Sequence, residues 1–251
     1  MPKRADQVRG KLLRRAFFQA PPEHVAPRLL GKVLAHRTRS GWLTGRIVEV
    51  EAYLGPHDAT PDPAAHSHRG PTPRNEVLFG PPGHAYVYFI YGRYYCMNFS
   101  CEKEGLGGGI LLRALEPLDG IKQMARRRGL PPDAAPCDLT GGPGRLCEAI
   151  GITRPLHNGL DLHDPASILQ VRDDGFRVTR VLVTRRIGIR HAAELPLRFA
   201  LPGNDCVSGP KKMEGKNIFL RATAPAPRRR NLVRRDPGLR DPRRRDPGLR
   251  E

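Results

Sequence analysis

Gly45-Arg46-Ile47-Val48-Glu49-Val50-Glu51-Ala52-Tyr53 lies at the centre of an apolar stretch, Leu43–Tyr53, that reads as a strand of alternating character. A strand's side-chain period of two sends Glu49, Glu51 and Tyr53 to one face and Val48, Val50 and Ala52 to the other. Two carboxylates in the middle of an apolar strand are unusual, because a buried acid is costly unless it is paired or used. Two explanations stand side by side. Either one acid is a general base held in a cleft beside an aromatic platform, or both pair with Arg46, Arg113 or another base on a neighbouring strand.

Outward from that strand, Ala85–Ile90 and Tyr94–Ser100 are β-rich runs flanking Tyr91-Gly92-Arg93, a hairpin signal. Tyr86 and Tyr88 share a face and Tyr91 falls at the tip. All six tyrosines lie between Tyr53 and Tyr95. Such crowding suits either an aromatic core strand or base stacking, worth roughly 1–3 kcal/mol per contact. Gly109–Leu115 and the late runs Val178–Ile187 and Leu197–Leu201 read as further strands. Short helices are expected near Pro27, over Leu118–Arg128 and over Pro143–Ile150, the last entered through Gly141-Gly142-Pro143. Pro56–Pro73 is a long loop rich in Pro, Asp and His, and loops of that length are usually functional or mobile. Clustered strands with few helices between them predict a single mixed α+β domain around an antiparallel sheet.

The chain has 251 residues, with 43 Lys and Arg against 25 Asp and Glu, a formal net charge of +18. Arg221–Glu251 carries +7 of this and Met1–Arg15 carries +5, leaving about +6 between them. A polyanionic partner, nucleic acid before an acidic membrane surface, is the expectation. The tail repeats RRDPGLR at Arg234–Arg240 and Arg244–Arg250. Proline and arginine at that density cannot build a core, so residues 222–251 are expected to be disordered, residues 1–15 to form a flexible basic arm, and 16–221 to be the folded domain. The longest apolar run, Ala85–Tyr91, is far short of the roughly 20 residues of a membrane helix, and the basic start lacks the apolar stretch of a secretory signal. A soluble protein is expected. Five cysteines without a C-x-x-C pair argue against a zinc ribbon, an iron–sulfur cluster or a disulfide framework, and fit a reducing intracellular compartment. The loop holds His57, Asp58, Asp62, His66 and His68, a weak metal signal; no metal is assigned.

Five blocks then carry a resemblance: GRIVEVEAYLGP (Gly45–Pro56), AAHSHRGPTPRN (Ala64–Asn75), GHAYVYFIYGRYYCMN (Gly83–Asn98), ILLRALEPL (Ile110–Leu118) and GGPGRLCEAIGI (Gly141–Ile152). In consistent order over roughly Ala16–Leu201, they resemble the alkyladenine (3-methyladenine) DNA glycosylase family, in the form shared by animals and many bacteria. The resemblance implies a curved antiparallel sheet with a protruding hairpin that enters DNA. It also implies hydrolysis of the N-glycosidic bond of a damaged purine flipped out of the duplex, without cofactor or metal. By the same resemblance Glu51 is the general base that activates water, and Arg113 helps to hold that water and the acid. Tyr53, His66 and Tyr88 sandwich and hydrogen-bond the flipped base, with Tyr86 orienting the histidine. Asn98 crowds the exocyclic amine of normal guanine. Tyr91 fills the gap in the stack; Thr72 and Arg74 are expected at the DNA backbone, where Arg93, a departure from the family, would add a phosphate or groove contact.

The partner implied is double-stranded DNA containing damaged purines, bound by a monomer. In a bacterium the protein would be cytoplasmic and nucleoid-associated. The loop between Gly55 and Ala64 is longer than the family pattern, Arg93 stands where an apolar residue is frequent, and the sequence diverges from Gly203 onward. No lysine is placed as a Schiff-base nucleophile, so a monofunctional enzyme is expected. The main alternative is a non-catalytic nucleic-acid-binding module, which Glu51 disfavours because an acid near phosphates weakens binding. A glycoside hydrolase using Glu49 and Glu51 as an acid/base pair is a further alternative, disfavoured by the basic termini.

Overall fold

In chain order, a computed structural model gives β1 (Lys11–Leu12), a 3-10 turn (Arg15–Phe17), α1 (Pro22–Leu29), β2 (Val33–Thr38), β3 (Gly41–Tyr53), α2 (Glu76–Phe79), β4 (Ala85–Ile90) and β5 (Tyr94–Cys101). Then follow β6 (Gly108–Asp119), α3 (Ile121–Arg127), α4 (Pro136–Thr140), α5 (Pro143–Ile150), α6 (Arg154–His157), β7 (Leu169–Asp173), β8 (Arg180–Thr184), β9 (Arg198–Ala200) and β10 (Lys216–Phe219). The structure describes residues 8–57, 60–209 and 215–219. The tail expected to be disordered lies outside them.

All strand pairs are antiparallel. The main path runs β1-β7-β2-β3-β6-β5-β4, and a branch of β9, β8 and β10 leaves from β3. The result is a single mixed domain built on one open antiparallel sheet with few helices, as the strand clustering implied. The hairpin of β4 and β5 forms as read from sequence, Ile90 opposite Tyr94, with β5 running one residue further, to Cys101.

β3 is the strand on which everything else is hung. Along one edge it pairs with β2 as far as Arg46 and then with β9 from Glu49 to Glu51, while β6 follows the other edge from Thr44 to Tyr53. Its alternation separates two environments. Val48, Val50 and Ala52 join Val25, Ala26 and Leu29 of α1, Val87, Met97, Phe99, Ile110 and Leu112 in the main core. Tyr53 turns instead toward a smaller cluster of Leu78, Tyr86, Tyr88, Cys96 and Leu111. The same parity runs across β4, β5 and β6, so one face of the sheet is the hydrophobic core and the other holds the polar and aromatic residues.

Three expectations are corrected. The helix near Pro27 is entered at Pro22, where a missing N–H costs nothing, and Pro27 is buried within it. The helix expected from Leu118 begins only at Ile121, because β6 continues to Asp119 and is stopped by Gly120 at φ 80°. A side chain at Gly120 would strike Leu43 as well as adopt an unfavourable backbone, so glycine is required there. The basic arm is already part of the sheet by Lys11, which pairs with Asp173.

Two buried histidines join β2 to α6. His36 Nδ1 donates to the Ile150 carbonyl (2.8 Å), so its Nε2 accepts from His157 Nε2 (3.0 Å), and His157 Nδ1 accepts from the Thr153 N–H (3.0 Å). Two neutral rings satisfy this chain of bonds, and His157 Nδ1 lies equally 3.0 Å from the Thr153 carbonyl. Burial, with His157 and Arg127 nearby, lowers His36 from 6.5 to about 4 although its bond to Ile150 opposes the change, and burial also lowers His157. A histidine depressed in the folded state contributes stability above its unfolded pKa and loses it as pH falls toward the folded one. For His36 that window, 6.5 to about 4, is worth roughly 3 kcal/mol. The melting temperature should therefore fall through that range. His36→Asn, which keeps a donor for Ile150 but gains no proton, should show a shallower fall; an unchanged slope in calorimetry would assign the acid sensitivity elsewhere.

Candidate active site

The polar face of the sheet brings together Glu49, Glu51 and Tyr53 from β3, Tyr86 and Tyr88 from β4, Asn98 from β5 and Arg113 from β6. Both carboxylates are fully buried. The β3–β6 register shifts on either side of Glu49: Ile47 faces Leu115, Glu49 faces Ala114 and Val50 faces Leu112. One extra residue, Val48, therefore sits on β3 and one, Arg113, on β6. Bulges of this kind re-aim side chains. Here Arg113 Nε meets Glu49 Oε1 at 2.8 Å and Nη1 meets Glu51 Oε1 at 3.2 Å.

The two acids are held differently. Glu49 also receives Arg198 Nε (2.6 Å), the Ser208 N–H (2.6 Å) and the Ser208 hydroxyl (3.0 Å). Glu51 receives the Tyr53 hydroxyl on Oε2 (2.8 Å) and the Ile187 N–H on Oε1 (2.8 Å). Glu49 is thus enclosed by two guanidinium groups, whereas Glu51 faces the aromatic cluster through Tyr53. Burial and the Glu51 charge push the Tyr53 phenol far up, so it remains a donor. Burial works against the Arg113 cation, but Glu51 and Glu49 more than offset it and its pKa rises. The pairing explanation therefore holds for Arg113, while Arg46 pairs with Asp174 instead.

Tyr86 and Tyr88 stack with centroids 5.3 Å apart, and the His66 ring meets Tyr88 edge-on at 4.5 Å. His66 Nδ1 is hydrogen-bonded to the Tyr86 hydroxyl at 3.0 Å. Desolvation of the ring's inner edge and then the Arg74 cation lower the His66 pKa, favouring neutral imidazole. Asn75 fixes the backbone of this loop by donating to the carbonyls of His66 (2.7 Å) and Gly70 (3.1 Å) while accepting from Thr72 N–H (2.6 Å). Asn98 is buried, and its side-chain oxygen has no hydrogen-bond partner among the described residues. Around this cluster, Thr72, Arg74 and Arg93 are exposed. Arg74 lies 6.0 Å over Tyr88, and Arg93 lies 5.2 Å over Tyr94. Tyr91 stands at the hairpin tip, 87% exposed, with φ 49°.

The profile of the methylpurine-DNA glycosylase family matches residues 16–205. A protein of Koribacter versatilis bearing the name of a 3-methyladenine DNA glycosylase is 53% identical over 197 residues, 78% of this chain and 93% of its own length. Similarly named proteins of Burkholderia lata and Methanoculleus marisnigri are each 48% identical, over 80% and 77% of this chain and 93% and 96% of theirs. The chain belongs to the methylpurine-DNA glycosylase family. It is a DNA glycosylase, a hydrolase of N-glycosyl bonds in DNA repair.

Several residues that build this cluster carry no local sequence signal. Arg198, Ser208, Arg186 and the Ile187 N–H reach β3 from more than 130 positions away. Asp62, one of the loop residues weighed as a metal ligand, is instead taken up by Arg186 and the N–H groups of Leu54 and Ala64. Asp58 lies outside the described residues. Among those described, no group of three or more His, Cys, Asp or Glu is arranged to hold a metal.

Removing one partner from a buried ion cluster leaves the others uncompensated, typically costing about 3–5 kcal/mol. Glu49→Gln should accordingly lower unfolding free energy by about that amount, since one amide oxygen cannot replace both acceptors of the carboxylate. A urea midpoint indistinguishable from wild type would show that Arg113 and Arg198 are satisfied without Glu49.

Proposed function

We propose that this glycosylase flips alkylated or deaminated purines of the 3-methyladenine, 7-methylguanine, hypoxanthine and ethenoadenine type from duplex DNA. It hydrolyses their N-glycosidic bond with water activated by Glu51, leaving an abasic site. The observation that carries this reading is a buried carboxylate at the edge of an aromatic cluster, oriented by three donors, Tyr53, Ile187 N–H and Arg113. A purely DNA-binding module has no use for such a group.

A base inside a duplex must be unstacked before its glycosidic bond can be reached, at a cost of a few kcal/mol that is smaller for lesions already badly paired. Tyr53, Tyr88 and His66 offer flat surfaces for the extruded purine, and a neutral His66, oriented by Tyr86, offers a hydrogen bond to it. Asn98 would disfavour guanine by crowding its exocyclic amine. As the bond breaks, positive character grows on the sugar and negative charge on the departing base. Glu51 serves twice, taking a proton from water and stabilising the oxocarbenium-like centre by its charge. Arg113 helps to hold both that water and the carboxylate. Cationic lesions are good leaving groups already; neutral ones depend more on hydrogen bonding at the base.

Outside the cluster, Thr72, Arg74 and Arg93 are proposed to meet phosphates, and the β4–β5 hairpin to enter the duplex with Tyr91 in the vacated space. A non-glycine residue at positive φ costs about 1–2 kcal/mol, and strain of that kind collects at functional positions. We further propose that the protein acts as an intracellular monomer without cofactor or metal.

Glu51→Gln should bind lesion duplex within a few-fold of wild type yet release base at least roughly 10²-fold more slowly, the scale of a lost general base, and Glu49→Gln should lose far less. Near-wild-type single-turnover rates for the Glu51 variant, or a larger loss at position 49, would overturn the assignment. At the hairpin tip the two contributions separate. Tyr91→Gly should stabilise the fold slightly by relieving the backbone, while both Tyr91→Gly and Tyr91→Ala weaken flipping by roughly 1–3 kcal/mol. Ethenoadenine fluorescence in the complex reads this directly, and an unchanged flipping equilibrium would remove Tyr91 from the role.

A further inference from the structure

The pair Asp62–Arg186 is fully buried on both sides. Arg186 Nη1 and Nη2 donate to the two carboxylate oxygens of Asp62 (2.5 and 2.9 Å), and the same nitrogens donate to the carbonyls of Ala52 and Ala192 (3.1 Å each). Its guanidinium lies 4.7 Å over the Tyr53 ring. Asp62 in turn accepts from the N–H groups of Leu54 (3.3 Å) and Ala64 (3.1 Å), and its carbonyl accepts from Ala65 (2.9 Å). One residue beyond Arg186, the Ile187 N–H binds Glu51; four residues beyond Asp62 comes His66.

A buried ion pair is weak evidence for stability, because desolvating both charges offsets most of their attraction. What this pair does is geometric. The groups proposed to act on the substrate from three separate segments, Glu51 and Tyr53 on β3, His66 on the loop and the amide at Ile187, are all fixed relative to one guanidinium. We propose that Asp62–Arg186 is a positioning pair that holds the base-reading histidine and the water-activating carboxylate in register. This rests on the functional reading above, and it accounts for how a loop expected to be longer than the family pattern would still deliver His66. The chain is re-anchored at Asp62, so the length of the stretch between Gly55 and Asp62 does not set where the histidine falls.

Groups acting as one unit lose activity together. Residues that orient others typically cost 10–100-fold when changed, and a misplacement of about 1 Å can cost roughly 10²-fold. The test compares Asp62→Asn, Arg186→Lys and the double variant with wild type. Single-turnover release is measured at saturating enzyme from a duplex containing hypoxanthine, alongside lesion-duplex affinity and thermal melting. Arg186→Lys keeps a buried cation opposite Asp62 and serves where Asp62→Asn does not fold. Each folded single variant should release base at least about tenfold more slowly while affinity changes less than about threefold, and the double variant should be no slower than the slower single. A merely structural role would lower the melting temperature and leave the release rate at saturation unchanged; that result, or losses that multiply in the double variant, would overturn the proposal. Absence of release by the wild-type chain, from this duplex and from one containing 7-methylguanine, would instead overturn the functional reading and this inference with it.

Discussion

A guanidinium wedged between two carboxylates inside a β-sheet persists only when every charge has a partner and every lone pair a donor. Arg113 meets that condition with help from the opposite side. Glu49 and Glu51 bring two negative charges into the interior, Arg113 from β6 supplies one cation, and Arg198 from β9 supplies the other. The branching of the sheet follows from this need. Along its first half β3 has β2 beside it; where the acids begin, β9 takes over that edge and brings Arg198 opposite Glu51 in register. Alternation along β6 puts Arg113 on the polar face with Leu111, and the ladder shifts occur at the level where it meets Glu49 and Glu51. Fold topology and charge balance are therefore solutions to one problem.

The alternation of Val48, Val50 and Ala52 with Glu49, Glu51 and Tyr53 was legible because a strand's period is local. The hairpin was legible because its turn lies between two β-rich runs. Strict alternation fails just before Glu49, where Ile47 and Val48 both enter the core at the ladder shift. The identity of the second cation was not legible. Lys and Arg number 43, and nothing in the residues around Arg198 or Arg186 distinguishes a buried guanidinium from a solvated one. Only the topology, which carries both back to β3, makes that selection. Likewise Ser208 lies just beyond the residues that the family profile matches, 16–205, yet it donates twice to Glu49.

The loop before β4 shows a different limit. Its length and its prolines, aspartates and histidines marked it as a functional or mobile loop, but composition could not say which polar groups face inward. Asn75 and Asp62, both buried, organise it through bonds to backbone groups. Asparagine and aspartate do this in turns generally, which is why their presence predicts irregular structure without predicting the structure itself. His66 appeared as one candidate among several; what singles it out is contact with Tyr86 and Tyr88, residues twenty or more positions away.

Burial divides the charged residues into two classes with different physical consequences. Arg74 and Arg93 are exposed, and any contribution they make to holding a polyanion is electrostatic and screened by salt. Glu49, Glu51, Arg113, Arg186 and Arg198 are buried, where screening is weak and geometry decides the interaction. Binding strength and chemical competence can thus respond separately to the same change in conditions: added salt acts on the outer set and leaves the inner one nearly untouched. Arg113 is where a surface-style account of the basic residues fails, since its charge is compensated by Glu49 and Glu51 and adds nothing to the field that draws in a polyanion.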